Sequence, residues 1–215
     1  MSVEAICFDV GETLINEERV WQMWAQWLGV PEHIFFAAFG AAISQGKPLD
    51  VFNRFKPNFD LDAELEARRE AGKLWVPQAS DLYPDAQPAV RLLGRIGLKV
   101  FIAGNQDADM GMFLRQSFPT ADHVRTSGEW GVSKPSAEFF ARISDELDMA
   151  PRNIVYVGDQ PGYDVYAAQE RGGMPTIQVL RGLWGLTLDP AVPTLLPHVA
   201  VSSLLEVPDA ISHLG

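Results

Sequence analysis

The feature that most constrains this chain is a set of short, nearly unbroken apolar runs separated by amphipathic stretches. Residues 3–8, 98–103, 153–157 and 175–180 are apolar on what would be both faces of a strand. Strands buried on both faces belong to a parallel sheet covered by helices. Val124 and the run His198-Val199-Ala200-Val201 are weaker strand candidates. Between the runs the period changes. Residues 85–95 carry Ala86, Ala89, Val90, Leu92 and Leu93, with Gly97 as a stop. Residues 136–148 begin at Ser136, a good N-cap, and turn Phe139, Phe140, Ile143 and Leu147 inward. Residues 162–171 form a shorter helix halted by Gly172-Gly173. Alternation of this kind predicts an α/β fold with a doubly wound parallel sheet.

Residues 15 to about 80 interrupt the alternation with three helical patterns, at 17–28, 31–45 and 62–75, and no convincing strand. The expected organisation is therefore a core made of 1–15 and 81–215, with a helical insert at 16–80 after the first strand. The stripe Trp21, Trp24, Trp27 in the first of these helices reads as helix packing. The stretch 182–197, rich in Gly, Pro and Leu, reads as an ordered loop.

Bulk properties narrow the partners. The formal net charge of −11 repels nucleic acid phosphates and anionic membranes, so neither is expected as a partner. An anionic ligand must then be met by a local positive site. No run approaches the roughly 18 apolar residues of a membrane span, and no basic segment leads into an apolar one at the N-terminus. The single cysteine, Cys7, lies inside the first apolar run and reads as a small buried hydrophobe. A chain that cannot close an internal disulfide fits a reducing compartment, and the expected location is the cytoplasm.

Three segments carry chemistry. Asp9 ends the first apolar run and is followed by Val10-Gly11-Glu12-Thr13-Leu14. A carboxylate at a strand end can be a metal ligand, a nucleophile or a helix cap, and strand ends are where open α/β sheets bind ligands. Gly158-Asp159-Gln160-Pro161-Gly162-Tyr163-Asp164 follows another strand. If the two strands are neighbours, Asp9 and Asp159 converge, and clustered carboxylates stay ionised only beside a cation. An all-oxygen ligand set suits Mg²⁺. Lys134, just before Pro135 and a helix start, is held in a defined place and can balance the aspartates or hold a substrate anion.

In this order and spacing, the segments resemble the haloacid dehalogenase-like superfamily of hydrolases, from Ile6 to about Leu205. The resemblance implies a Rossmann-like core, with the insert as a helical cap of the C1 type. It implies hydrolysis of a small phosphorylated or other anionic molecule, with Asp9 as a nucleophile forming an aspartyl intermediate. Mg²⁺ would be held by Asp9, the backbone carbonyl of Gly11 and Asp159. Lys134 would steady the nucleophile and the transferring group, and Asp164 would orient Lys134 or a metal-bound water. Phosphoryl transfer asks mainly for this positioning and charge neutralisation.

Two residues depart from the family's phosphatases. The position two after the nucleophile usually carries a second aspartate as acid and base, and here it is Gly11. Such assistance is worth roughly 10²–10⁴-fold. Glu12, beside it, should point elsewhere. After the second strand the family usually has Ser or Thr, and here Gly104 offers only a backbone N–H, with Asn105 next to it as a side-chain donor. The expected activity is therefore weak or unusual, and a binding protein on the same fold is the alternative. Phosphonate-cleaving relatives use a cap lysine, for which Lys47 and Lys56 are candidates. The 2-haloacid dehalogenases also lack the second aspartate but work without metal, which the Gly158-Asp159 motif disfavours. The aromatic insert could also pair with another subunit.

Overall fold

In the computed structural model, which describes residues 2–186 and 196–214, six parallel strands form one sheet in the order β3-β2-β1-β4-β5-β6. They are β1 (Ala5–Phe8), β2 (Lys99–Gly104), β3 (His123–Thr126), β4 (Ile154–Gly158), β5 (Thr176–Val179) and β6 (Val199–Val201). The four strong apolar runs become β1, β2, β4 and β5, and both weak candidates also pair. Nine residues of the stretch expected as a loop, 187–195, lie outside the described residues. Its start, Gly182–Gly185, is a short helical turn.

The sheet is covered on both faces, which explains the apolar runs. Ile6, Phe8, Val100, Ile102, Val155 and Val157 pack on one side with Ala89, Val90, Leu93 and Leu114. Ala5, Cys7, Phe101, Ala103 and Tyr156 point the other way, against Phe139, Phe140, Ile143 and Ala167. Successive strand residues alternate between these two cores, as pleating requires.

In chain order the helices start with α1 (Glu18–Trp27), α2 (Glu32–Ser44), α3 (Asp50–Phe55) and α4 (Leu61–Glu70). The first two and the last match the expected patterns, while α3 adds a short helix that the sequence pattern did not mark. These helices share an apolar cluster of their own around Trp24, Phe35, Phe39 and Phe52. Trp21 packs tilted against Phe39 with ring centres 4.3 Å apart, Trp24 lies under the Arg68 guanidinium at 4.0 Å, and the Trp27 indole N–H donates to Glu64. All three tryptophans therefore serve packing. No single described helix is long and apolar enough to cross a membrane. The pair α1 and α2 passes that test only as two rods bent by 112°.

The helices of the sheet follow: α5 (Ala86–Arg95), α6 (Met110–Ser117), α7 (Ser127–Trp130) and α8 (Ala137–Leu147). Ser136 caps α8, its hydroxyl accepting from Glu138 N–H, as its residue type suggests. The stretch expected as one short helix at 162–171 is a wide turn, Pro161–Tyr166, running into α9 (Ala167–Glu170). The chain moves outward from β1 through β2 to β3, then returns to the other side of β1 with β4. That reversal leaves a crevice beyond the C-terminal ends of β1 and β4, the usual ligand position in such sheets.

Candidate functional site

Asp9 and Asp159 stand at that crevice. In the β1–β4 ladder Phe8 pairs with Val157, and Asp9 N–H donates to Val157 O at 2.8 Å, so both strands release their next residues at the same edge. Side-chain oxygens of Asp9, Asp159 and Asp164 lie within 4.8 Å of one another, and all three residues are buried. Lys134 reaches in from the segment before α8. Its Nζ lies 2.5 Å from Asp9 Oδ1 and 2.6 Å from Asp164 Oδ1, over the ring of Tyr156.

Each group is held by neighbours. Asp164 accepts the Gln160 N–H through its second oxygen. Gly158 must lack a side chain because a Cβ there would fall onto the Asp164 carboxylate. The Asn105 amide clamps the Lys134 backbone twice, accepting from its N–H at 2.8 Å and donating to its C=O at 2.9 Å. Gln178 donates to Asp159 O, and the Thr13 hydroxyl points at Asp159 Oδ1 from 3.4 Å. Asp159 Oδ2 is buried without any partner. A buried ionised oxygen left unpaired is costly, and here it sits beside two further carboxylates.

The charges show the strain. Asp9 is pushed from 3.8 to about 7, first by burial and then by the Asp164 charge, with Lys134 pulling the other way. Burial, Asp164 and Asp9 together push Asp159 well above its ordinary value. For Lys134, burial acts to lower the pKa, but the carboxylates of Asp164 and Asp9 outweigh it and the ammonium is held above its usual value. Ionising all three carboxylates against one ammonium would leave an excess of negative charge, which a divalent cation would neutralise.

The cavity over this cluster is lined by Asp9, Gly11, Glu17, Asn105, Gln106, Lys134, Asp159, Gln160, Tyr163 and Trp184. Asp164 lies beneath the wall, behind Lys134. Gly104 also lies beneath, where a Cβ would come 2.7 Å from Asp9 Oδ1 and 3.0 Å from Val10 Cβ. It thus serves as a seat for Asp9. Asn105 does line the cavity, yet its carbonyl oxygen and one amide N–H are committed to Lys134. Glu12 turns away, accepting the Tyr83 hydroxyl at 2.5 Å and packing against Gly182. Lys47 is exposed, and Lys56 forms an ion pair with Glu64; neither lines the cavity. Trp130 packs among Phe101 and Phe139, whereas Tyr163 and Trp184 face the cavity.

Gln106 and Glu17 line the cavity without having been anticipated. Glu17, the residue before α1, reads in the sequence only as the start of an amphipathic helix. In the fold its carboxylate fills the space beside Gly11: a Cβ on Gly11 would fall onto Glu17 Oε1, with Glu17 Cδ 2.9 Å away. Burial first, then the charges of Glu12 and Asp9, raise Glu17 to about 8. No local pattern marks this return, because it depends on the turn at Val10–Ile15, where Leu14 and Ile15 N–H both donate to Val10 O.

Comparison with known proteins agrees with this architecture. The chain is 28% identical over 136 residues to a glyceraldehyde 3-phosphate phosphatase of Methanopyrus kandleri, covering 62% of this chain and 58% of that protein. It spans about half the length of the curated relatives it matches. Among solved structures, a predicted phosphoglycolate phosphatase from Haemophilus somnus superposes with a TM-score of 0.73 at 16% identity, over 98% of this chain and 99% of that one. A 2-haloacid dehalogenase from Pseudomonas syringae does so at 0.57 and 19% identity, over 99% and 100%. These two likenesses speak for the fold alone. A family model for haloacid dehalogenase-like hydrolases matches residues 3–172, most of the chain and every acidic and basic residue of the cluster. The chain belongs to the haloacid dehalogenase-like hydrolases.

Proposed function

We propose that this chain is a phosphatase-type hydrolase of small phosphorylated molecules, dependent on Mg²⁺, with Asp9 as the nucleophile. The observation that carries the reading is the buried triad of Asp9, Asp159 and Asp164 bridged by Lys134, with Asp159 Oδ2 left without a partner. The residues fit a hard divalent cation: the donors are all oxygens, their charge exceeds that of Lys134, and one oxygen is free. Asp9, the Gly11 carbonyl and Asp159 would hold the ion, which would supply charge neutralisation for the transferring phosphoryl group.

The chain's own groups do the rest. The Asp9 carboxylate attacks phosphorus and the ester oxygen departs, leaving a phosphoaspartate that water then hydrolyses. Lys134 holds Asp9 in place from one side and attracts the phosphoryl oxygens. Asp164 keeps the Lys134 ammonium turned to the cavity, and the Asn105 amide fixes the lysine's backbone. Asp9 needs desolvation to react and an ammonium to stay charged, and the burial and the Lys134 contact supply both.

The insert at 16–80 acts as a cap over a core of 1–15 and 81–215, and it contributes to the approach to the site. Beside the acidic cavity is a second one, lined by Ile43, Gly46 and Pro48 from α2 and the segment after it, and by Gln160, Pro161, Tyr163 and Trp184. The two share Gln160, Tyr163 and Trp184. The leaving part of the substrate would rest there, against apolar and aromatic walls. The homologue named as a glyceraldehyde 3-phosphate phosphatase supports a small phosphoester as substrate.

The test is hydrolysis of 4-nitrophenyl phosphate with Mg²⁺, beside Asp9→Asn. Loss of activity in the variant is the expected result. Activity that survives would belong to a contaminant. Metal-dependent anion binding without turnover would replace the enzyme by a binding protein on the same fold.

A further inference from the structure

The geometry points to Glu17 as the proton-transferring carboxyl group of this site, standing where a side chain on Gly11 would otherwise reach. This rests on the phosphatase reading. Glu17 lines the same cavity as Asp9, Lys134 and Asp159. Its carboxylate and a Cβ on Gly11 claim the same volume, so the glycine and the glutamate form one arrangement: the chain gives up the nearer side chain and brings a longer one back from the start of α1.

The ammonium and the other carboxylates on the wall are already committed. Lys134 is bound between Asp9 and Asp164. Asp9 is the attacking group. Asp159 belongs to the proposed cation site. Glu12, the other nearby carboxylate, is tied to Tyr83 outside the cavity. Glu17 forms no ion pair with any described lysine or arginine, and the Lys134 charge acts on it only across the cavity. Gln106 lines the cavity as well and can orient the carboxyl.

The chemistry balances. As the bond from Asp9 to phosphorus forms and the bond from phosphorus to the ester oxygen breaks, the Glu17 carboxyl proton passes to that oxygen, releasing an alcohol. The resulting Glu17 carboxylate then takes a proton from water as it attacks phosphorus. The bond to Asp9 breaks, inorganic phosphate leaves, and both side chains return to their starting forms.

A leaving group that departs easily needs little of this help, and a poor one needs all of it. The experiment compares kcat/KM for 4-nitrophenyl phosphate and phenyl phosphate, two esters of similar shape, in the wild type, Glu17→Gln, Glu17→Ala, Gly11→Asp and the double variant Gly11→Asp with Glu17→Ala. Thermal midpoints monitor folding. Glu17→Gln is expected to lose about 10²-fold on phenyl phosphate and less than about tenfold on 4-nitrophenyl phosphate. Gly11→Asp alone displaces Glu17 and gains nothing. The double variant recovers at least about tenfold over Glu17→Ala on phenyl phosphate, because the new aspartate enters the space Glu17 has left.

Equal losses on the two esters, or none, overturn the assignment. So does a double variant no better than Glu17→Ala. A wild type with no Asp9-dependent hydrolysis of 4-nitrophenyl phosphate removes the phosphatase reading and this assignment together. Intact hydrolysis with an unselective Glu17 effect removes the assignment alone.

Discussion

Asp164 does not reach the cavity wall, yet its Oδ1 lies 2.6 Å from the Lys134 ammonium. Lys134 in turn is the sole cation among three buried carboxylates in the described site. Removing one partner of a buried ion pair typically costs about 3–5 kcal/mol, because the remaining charge is left uncompensated. Lys134→Met should therefore destabilise the metal-free protein by about that amount. Mg²⁺ should restore part of the loss, since a divalent ion can take over the neutralisation. Denaturant titrations with and without the ion check both parts. A loss below about 1 kcal/mol would mean that the carboxylates are already largely protonated without the lysine.

Asp159 predicts the opposite sign. Its Oδ2 has no partner and its pKa is pushed up, so its charge is a burden on the metal-free fold. Asp159→Asn should leave metal-free stability unchanged or improved, while abolishing the rise in Tm that the proposed Mg²⁺ site predicts. That pattern, stability kept and function lost, is what a functional carboxylate held against its own preference should show. A clear drop in metal-free Tm would make Asp159 a structural residue.

The same cluster fixes a pH dependence. Asp9 has a folded pKa of about 7 against 3.8 for the ordinary group, with burial as the leading cause. A carboxyl raised in the folded state binds its proton more tightly there, so its contribution is complete below the ordinary pKa and is lost as pH rises through the folded one. Asp159 and Glu17 shift in the same direction. By contrast, Asp81 and Asp85 are lowered: burial works to raise both, but their arginine partners Arg19 and Arg181 and nearby hydrogen bonds outweigh it. Their contribution is fully present above the ordinary carboxylate range and lost as pH falls below it, so it stays level between pH 5 and 8. The metal-free protein should therefore lose stability from about pH 5 to pH 8, and saturating Mg²⁺ should flatten that decline. Thermal midpoints across this range, with Mg²⁺ and with chelator, measure it. A metal-free profile that rises with pH would contradict the site electrostatics.

What the sequence made legible follows from how local each signal is. The strands β1, β2, β4 and β5 were readable because burial on both faces demands unbroken apolar runs. Asp9 and Asp159 were readable as strand-end carboxylates, and parallel pairing of β1 with β4 brings them together. Lys134 was marked by its position before Pro135, and the structure carries it to the same point from 125 residues away in the chain. The place of Glu17 on the cavity wall was invisible because it depends on a turn folding back, and helix periodicity says nothing of where the residue before a helix points. The clamp of Asn105 on Lys134 was invisible for the same reason: it joins a strand end to the start of a helix 29 residues later. The short helix α3 was missed because six residues are too few to establish a period.

Asn105 gives a positional prediction. Its side chain makes two hydrogen bonds to the Lys134 backbone and stands on the cavity wall. A typical hydrogen bond is worth about 1 kcal/mol, so Asn105→Ala should cost about 1–2 kcal/mol of stability. Its larger effect should be on kcat, because Lys134 would no longer be fixed against Asp9. Asn105→Asp keeps the acceptor for Lys134 N–H and loses the donor, and it should fall between the two. Steady-state kinetics of both variants would show kcat falling more than KM rises. A change confined to KM would mean that Asn105 acts on the substrate directly.

Gly104 separates two accounts of the same departure from the family pattern. On the sequence alone, the missing Ser or Thr reads as a lost substrate contact, and Gly104→Ser should then raise activity. The structure gives the other sign. A Cβ at this position stands 2.7 Å from Asp9 Oδ1 and 3.0 Å from Val10 Cβ, closer than packed atoms tolerate. Val10 is fully buried and cannot retreat, so Asp9 must move, and Lys134 holds that same oxygen. If Asp9 is the nucleophile, as proposed, displacing its carboxylate by even a fraction of an ångström would spoil in-line approach to phosphorus. Gly104→Ala and Gly104→Ser should therefore both lower kcat by at least about tenfold, the serine hydroxyl bringing no rescue over alanine. Overpacking at this point should also cost about 1–3 kcal/mol of stability. If the serine variant were faster than the wild type, the crowding would be relieved by movement of the β2 end, and the lost-contact account would stand instead.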